Sequence, residues 1–317
     1  MAWKTRTLIT GSSSSEDSPR TTWRRTLGRL LSVVVGGYLT VLLLLMLMEN
    51  YLLYPAPRYP LGDWSASRIA AEDVYFDSDD GTPLHGWFLD HPQPRGYLLY
   101  CHGNGEHVAH LAELLLLIRD DLGFAVFAFD YRGYGRSEGS PHEKGILADA
   151  RAAHRWLTNR ARISSDQLVI MGRSLGGAVA VDLAADYSAR ALVLESTFTS
   201  LPDVAARIYW WAPVRWLMRS RFDSLAKIAR FSGPLLQSHG TLDEVVPIGI
   251  GRQLFASATG QQKTFVEFPL DGHNDPPPAS YYRRLDQFLG GERSYDLLDI
   301  CEQSNQEFVR LLLDPGG

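Results

Sequence analysis

LVIMGRSLGGAVAVDLAADY, residues 168–187, joins an apolar run, a serine bracketed by glycines and an alanine-rich run without a gap. The order predicts strand, sharp turn and helix in immediate succession. G-x-S-x-G carries chemistry only in that setting, because the serine must stand on a strained turn at a strand's end with its hydroxyl clear of the sheet. Gly172 and Gly176 flank Ser174 at the spacing such a turn needs, where bulkier residues would collide with neighbouring backbone. The helix begun by Leu175 directs its unpaired N–H groups and positive end toward the serine, which favours an anionic intermediate. A second match, Gly135-Arg136-Ser137-Glu138-Gly139, lies in the polar segment DYRGYGRSEGSP, with Pro141 where a helix should already be under way. Ser137 therefore reads as a loop residue.

Outward from the central unit, apolar runs alternate with helical patterns. EDVYF (72–76) and LHGWFL (84–89), split by Asp80-Gly81, read as a hairpin. Strands follow at YLLYC (97–101), FAVFAF (124–129), ALVLE (191–195), PLLQSHG (234–240) and TFVEFP (264–269), with helices at about 106–120, 143–158, 247–257 and 278–289. Such alternation implies an α/β fold, a mostly parallel sheet with helices on both faces and a site at the carboxyl ends of its strands.

A serine nucleophile needs a base, an orienting acid and donors for the oxyanion, each just after a strand. Asp243 follows PLLQSHG and His273 follows TFVEFP, giving the chain order Ser174, Asp243, His273. In YLLYCHGNG, Gly103 lets the backbone at Asn104 approach the reaction centre, so the N–H groups of Asn104 and Leu175 are the expected oxyanion donors. Glu195 also ends a strand and is the competing acid, whereas Glu244 and Asp271 read as surface carboxylates. His102 suits a structural role in the oxyanion turn, and Asp130 and Arg132 suit bracing of the loop edge. With His107 and His110, His102 forms H-x4-H-x2-H, which matches no usual zinc spacing, so neither metal nor cofactor is expected.

HGNGE, FDYRGYGRSEG, GRSLGG, HGTLDEVVP and GHND, in that order, resemble the α/β-hydrolase fold. More narrowly, they are similar to membrane-anchored α/β-hydrolase-domain proteins, whose eukaryotic members include protein depalmitoylases. The resemblance covers roughly residues 72–290 and implies Ser174 as nucleophile, His273 as base, Asp243 as acid, and Asn104 and Leu175 at the oxyanion hole. The cysteine-rich N-terminus of the depalmitoylases is absent.

Residues 1–29 carry six basic and two acidic side chains, +4, so the remainder carries −9 of the net −5. An acidic body without a basic stripe argues against nucleic acid as partner. Residues 1–29 read as an unpacked basic tail. LLSVVVGGYLTVLLLLMLM, 30–48, has no charge and the length of a bilayer span, so residues 30–49 are expected to form a transmembrane helix. A signal peptide has a shorter apolar core followed by a small-residue cleavage pattern, and a soluble core helix is seldom apolar all round. The preceding arginines put the N-terminus in the cytoplasm and the body outside it.

Residues 50–71, with three prolines, read as a stiff linker, 72–291 as the α/β domain and 292–317 as a probable-helix tail pattern that docks on it. Within the domain, 197–233 is the expected cap, rich in tryptophan, whose aromatic side chains suit either an apolar acyl chain or the packing of a crossover helix on the sheet. Cys101 reads as a buried thiol and Cys301 as unrelated to it. The whole predicts a membrane-anchored serine hydrolase acting on an acyl ester or thioester in a small molecule, lipid or acylated protein. An exported peptidase or amidase, and a non-catalytic anchored binding protein that kept the fold, are the alternatives.

Overall fold

The computed structural model describes residues 19–291, and the chain divides after Met48 into two compact units. The expected C-terminal helix and Cys301 lie outside the described residues.

The first unit contains α1 (Pro19–Leu47). It includes residues that the sequence reads as an unpacked tail and ends at Leu47, two residues before the end of the expected 30–49 span. Proline suits a first helical turn because its φ is already helical and its missing N–H would have been unpaired there. Within α1, Arg25–Leu47 is a 23-residue segment long and apolar enough to cross a membrane, a property that signal sequences share. At the rise of an α-helix it is about 35 Å long.

The second unit is built on eight strands ordered β1-β2-β4-β3-β5-β6-β7-β8. They are β1 (Glu72–Asp77), β2 (Pro83–Leu89), β3 (Tyr97–Cys101), β4 (Ala125–Phe129), β5 (Leu168–Arg173), β6 (Ala191–Glu195), β7 (Leu235–Gly240) and β8 (Lys263–Phe268). β1 and β2 form the expected hairpin, β2 pairs antiparallel with β4, and every pairing from β4 to β8 is parallel. The sheet is therefore mostly parallel, as the alternation predicts. Successive residues of the inner strands serve opposite faces. Leu99, Cys101, Phe127 and Ile170 join one buried cluster, while Leu98, Tyr100, Val126 and Val169 join the other.

Helices α2 (Glu49–Leu53), α3 (Ala112–Leu116), α4 (Glu143–Ala161), α5 (Leu175–Tyr187), α6 (Leu201–Ile208), α7 (Val214–Leu217), α8 (Ser224–Ile228), α9 (Ile248–Ser257) and α10 (Ala279–Phe288) complete the unit. The expected cap holds α6, α7 and α8, three short helices joined by irregular chain.

Two expectations fail for identifiable reasons. The helix expected at 106–120 is broken into a 3-10 turn (Val108–His110), α3 and a π turn (Leu117–Asp121). The Val108 N–H is committed to Asp130 Oδ1 at 2.9 Å, and Glu106 is turned back to accept from the Gly103 N–H at 2.7 Å, so the first turn cannot close as a regular helix. Nor are residues 50–71 a free linker, since they belong to the second unit. Arg58 Nε donates to Gly133 O at 2.9 Å, the Tyr59 N–H to Gly135 O at 3.0 Å, and Tyr54 is buried with its hydroxyl on Ser220 Oγ at 3.1 Å.

The packing of α5 on the sheet depends on glycine. A Cβ on Gly176 would lie 2.0 Å from Cys101 O and 2.5 Å from His102 O, both backbone atoms with no room to retreat. Gly176→Ala is expected to cost at least about 3 kcal/mol of stability, in the upper range for overpacking. Gly249→Ala, in α9 with nothing within 4 Å of its Cβ, should gain up to about 1 kcal/mol. Denaturant unfolding of the two variants checks the contrast.

Candidate functional site

Ser174 occupies the single residue between β5 and α5, with φ 52° and ψ −117°. A non-glycine residue in that region is strained, at about 1–3 kcal/mol, and the surroundings hold it there. Its N–H donates to Glu195 O at 2.8 Å, and its carbonyl accepts from the Gly177 N–H at 3.0 Å and from Thr197 Oγ1 at 2.8 Å. The strain leaves the side chain at the sheet's carboxyl edge.

Two loops from the far end of the sheet meet it there. His273, after β8, places Nε2 3.1 Å from Ser174 Oγ, and its Nδ1 lies 2.7 Å from Asp243 Oδ2. Asp243, in the loop after β7, is fully buried at its side chain. Its Oδ1 accepts from the N–H groups of Val245 at 3.0 Å and Val246 at 2.7 Å. On the other side, His239 Nε2 lies 3.3 Å from Oδ2 and donates to Val246 O at 2.7 Å. Burial works against the charge on Asp243, but the hydrogen bonds from His239, His273 and the Val246 N–H outweigh it and hold the carboxyl well below the usual carboxylate range. An ionised Asp243 fixes the His273 proton on Nδ1 and leaves Nε2 as an acceptor for the serine hydroxyl.

Asn104 follows β3. Among the described residues nothing accepts from its backbone N–H or from that of Leu175, the first residue of α5. The Asn104 side chain is itself pinned, with Nδ2 donating to Leu53 O at 2.6 Å and Oδ1 accepting from Tyr134 Oη at 2.6 Å. Arg173, immediately before Ser174, ties the surrounding loops together. Its Nη2 donates to His273 O at 2.6 Å and to Asn274 Oδ1 at 3.2 Å, while its Nη1 pairs with Glu106, whose other oxygen holds the Gly103 N–H. One guanidinium thus reaches both the histidine loop and the oxyanion turn. Arg173 and Glu106 escape a reading of the sequence because they act across loops far apart in the chain, and His239 because it lies inside an apolar strand run that reads as core.

The other candidates are engaged elsewhere. Ser137 is buried, donating its hydroxyl to Asp130 O at 2.7 Å and accepting from the His85 N–H at 2.9 Å. Asp130 braces that loop through Val108 and His85, and Arg132 pairs with Asp149 and Asp80. His102 donates from Nδ1 to Gly103 O at 2.8 Å and packs on Tyr131, in keeping with a structural role. The rings of His107 and His110 stack on each other, and among the described residues no three His, Cys, Asp or Glu side chains converge as a metal site. Cys101 is a buried free thiol.

The chain matches the family model described as serine aminopeptidase, S33, over residues 92–227. An uncharacterized protein of Mycobacterium tuberculosis is 36% identical over 249 residues, 78% of this chain and 87% of that protein. The alpha/beta hydrolase domain-containing protein WAV2 of Arabidopsis thaliana is 34% identical over 267 residues, 77% of this chain and 85% of WAV2. Among solved structures, the Pyrococcus furiosus esterase Pf2001 superposes with a TM-score of 0.62 at 19% identity, covering 74% of this chain and 98% of the esterase, a likeness of fold.

Glu195, the competing acid, is buried, its Oε1 has no hydrogen-bond partner among the described residues, and burial pushes its carboxyl up to about 7. A folded-state value above the unfolded one means that the native protein holds this proton more tightly. The group therefore costs nothing below about pH 4.5 and destabilises progressively as pH rises toward 7. Glu195→Gln should be close to neutral at pH 4.5 and stabilise by about 3 kcal/mol at pH 8, taking 1.36 kcal/mol per pH unit. Unfolding measured at both pH values tests this.

Proposed function

The chain belongs to the α/β-hydrolase family, and from that premise we propose that it is a membrane-anchored serine hydrolase cleaving acyl esters or thioesters through an acyl-enzyme. The observation that carries the reading is the line of contacts from Ser174 Oγ to His273 Nε2 at 3.1 Å and from His273 Nδ1 to Asp243 Oδ2 at 2.7 Å. In this reading His273 takes the hydroxyl proton as Ser174 Oγ bonds to the substrate carbonyl carbon, and ionised Asp243 stabilises the imidazolium. The Asn104 and Leu175 N–H groups receive the oxyanion, each worth on the order of 3 kcal/mol in a comparable site. The intermediate collapses as His273 protonates the leaving alcohol or thiol, leaving an acyl-serine. Water, deprotonated by His273, then releases the acid and restores the serine. These groups supply every proton transfer the cycle requires.

Anchoring rests on Arg25–Leu47 and on the basic residues at its start, which favour a cytoplasmic N-terminus and an extracytoplasmic catalytic unit. The acyl group in this reading is carried by a small molecule, lipid or protein. A peptide amide would use the same machinery, and the serine aminopeptidase description of the matching family model keeps it as the second reading. Acyl esters of graded chain length assayed beside peptide amides separate the two, with esters expected to turn over faster.

The full chain in detergent should react with a fluorophosphonate probe, and Ser174→Ala should abolish labelling while Ser137→Ala retains it. Labelling that survived Ser174→Ala would reassign the nucleophile. Asp243→Asn should lower ester turnover by about 10⁴ by misplacing the His273 proton.

For Arg173→Lys the expected loss in kcat is on the order of tenfold, with little change in KM, because an ammonium cannot span both loops as a guanidinium does. Steady-state kinetics of that variant, with unfolding as the control, decides whether Arg173 positions the site.

A further inference from the structure

We propose that the reaction centre opens at the bilayer surface and draws its acyl substrate from the membrane, with Trp210 and Trp216 of the cap seated at the membrane interface. The proposal rests on the anchored-hydrolase reading and names where its substrate resides.

The first observation is the exposure of the cap. Trp216 is 89% exposed, Trp210 82% and Ile208 62%, all around the short connection from α6 to α7. Two large indoles left in water are unusual for a soluble surface. Tryptophan is the residue enriched where hydrocarbon meets headgroups, because its ring is apolar and its N–H still finds a polar partner.

The second observation fixes where that connection lies along the path out of the membrane. Glu49 stands two residues beyond Leu47, the last residue of the segment long enough to cross a bilayer. The Glu49 carboxylate is buried, and a buried carboxylate needs donors. Those donors come from the cap. The Ser220 N–H donates to Oε1 at 2.7 Å, the Arg219 N–H to the same oxygen at 3.0 Å, and Arg219 Nε to Oε2 at 3.3 Å. Arg219 follows Trp216 by three residues. The segment that the cap grips thus begins directly after Met48, where the apolar unit ends.

The third observation extends the tie to the site. α2 is only five residues long, about 7.5 Å of helix axis. At its far end Leu53 O accepts from Asn104 Nδ2 at 2.6 Å, and Tyr54 Oη donates to Ser220 Oγ at 3.1 Å. Asn104 is the residue whose backbone N–H we assign to the oxyanion. One turn of helix, beginning directly after the apolar segment in the chain, therefore joins the tryptophan-bearing cap to the oxyanion turn. An amphiphile lying in the outer leaflet has its carbonyl at the headgroup boundary. A water-soluble ester would need none of it.

The test uses the full chain reconstituted in phosphatidylcholine vesicles, with and without acyl-brominated lipid, which quenches indoles at the interface. The comparison is with Trp210→Ser/Trp216→Ser. The other six tryptophans, Trp23 on α1 among them, are common to both proteins, so the variant supplies the baseline of quenching. The wild type should lose distinctly more emission than the double variant. Turnover of a long-chain fluorogenic ester dissolved in the vesicles should fall on the order of tenfold in the variant, whereas turnover of soluble p-nitrophenyl acetate should stay within about twofold. Equal quenching in the two proteins would overturn the proposal and assign the exposed tryptophans to a protein partner instead. So would an equal loss on both esters, which would make the tryptophans part of the catalytic unit's own fold. Extraction of the chain by alkaline carbonate tests the anchor separately, and fluorophosphonate labelling tests the serine, so failure of either earlier reading is distinguishable from failure of this one.

Discussion

The close approach of α5 to the end of β3 is the constraint on which the rest of the site depends. A Cβ on Gly172 would stand 2.2 Å from Gly176 O, and one on Gly176 would stand 2.0 Å from Cys101 O. With neither present, the first turn of the helix settles onto the strand end that leads into the oxyanion turn. The backbone then has to reverse within one residue, which drives Ser174 to φ 52°. Strain of this kind persists only where the surroundings over-determine it. Here the Ser174 N–H and carbonyl are taken up by Glu195, Gly177 and Thr197. The strand order, the missing side chains and the strained serine are one arrangement seen from three sides.

What the elbow leaves undetermined is the position of the loops that must meet it. Catalysis by preorganised donors tolerates little displacement, and a shift of about 1 Å can cost on the order of a hundredfold. The loop after β3 and the loop after β8 belong to strands separated by β5, β6 and β7 in the sheet. Arg173 sits between them on β5 and reaches both, through Glu106 on one side and His273 O on the other. A planar guanidinium with several fixed donors does this where a flexible ammonium would not. The residue beside Ser174 thus sets the spacing between the His273 loop and the turn at Asn104.

Much of this was legible in the sequence, for reasons that also explain the failures. The strands were readable because a sheet covered on both faces demands continuous apolar runs such as YLLYC and LVIM, and Ser174, Asp243 and His273 because each follows such a run. The stretch 106–120 misled because its leucines have helical spacing while its first turn is committed to Gly103 and Asp130, partners that spacing cannot reveal. Residues 50–71 misled in the opposite way. Their prolines suggested a spacer, yet Arg58 and Tyr54 lace the segment to loops more than seventy residues away.

Glu195 and Asp243 show why position at a strand's end does not by itself assign a role. Both carboxylates follow the sheet's logic, and a sequence cannot rank them by environment. Asp243 is met by two backbone N–H groups and two histidines, so burial strengthens interactions that favour its charge. Glu195 is as deeply buried, with one oxygen unpartnered, so burial favours its proton. Near pH 7 the first is an anion that can hold an imidazolium, while the second is shared between protonated and charged forms. The distinction is one of donors supplied by neighbouring loops, and the HGTLDEVVP turn supplies them by folding Val245 and Val246 back onto Asp243 within three residues. A carboxylate that brings its own donors in the next few residues is ionised wherever the fold buries it, which is what an acid partner of histidine requires.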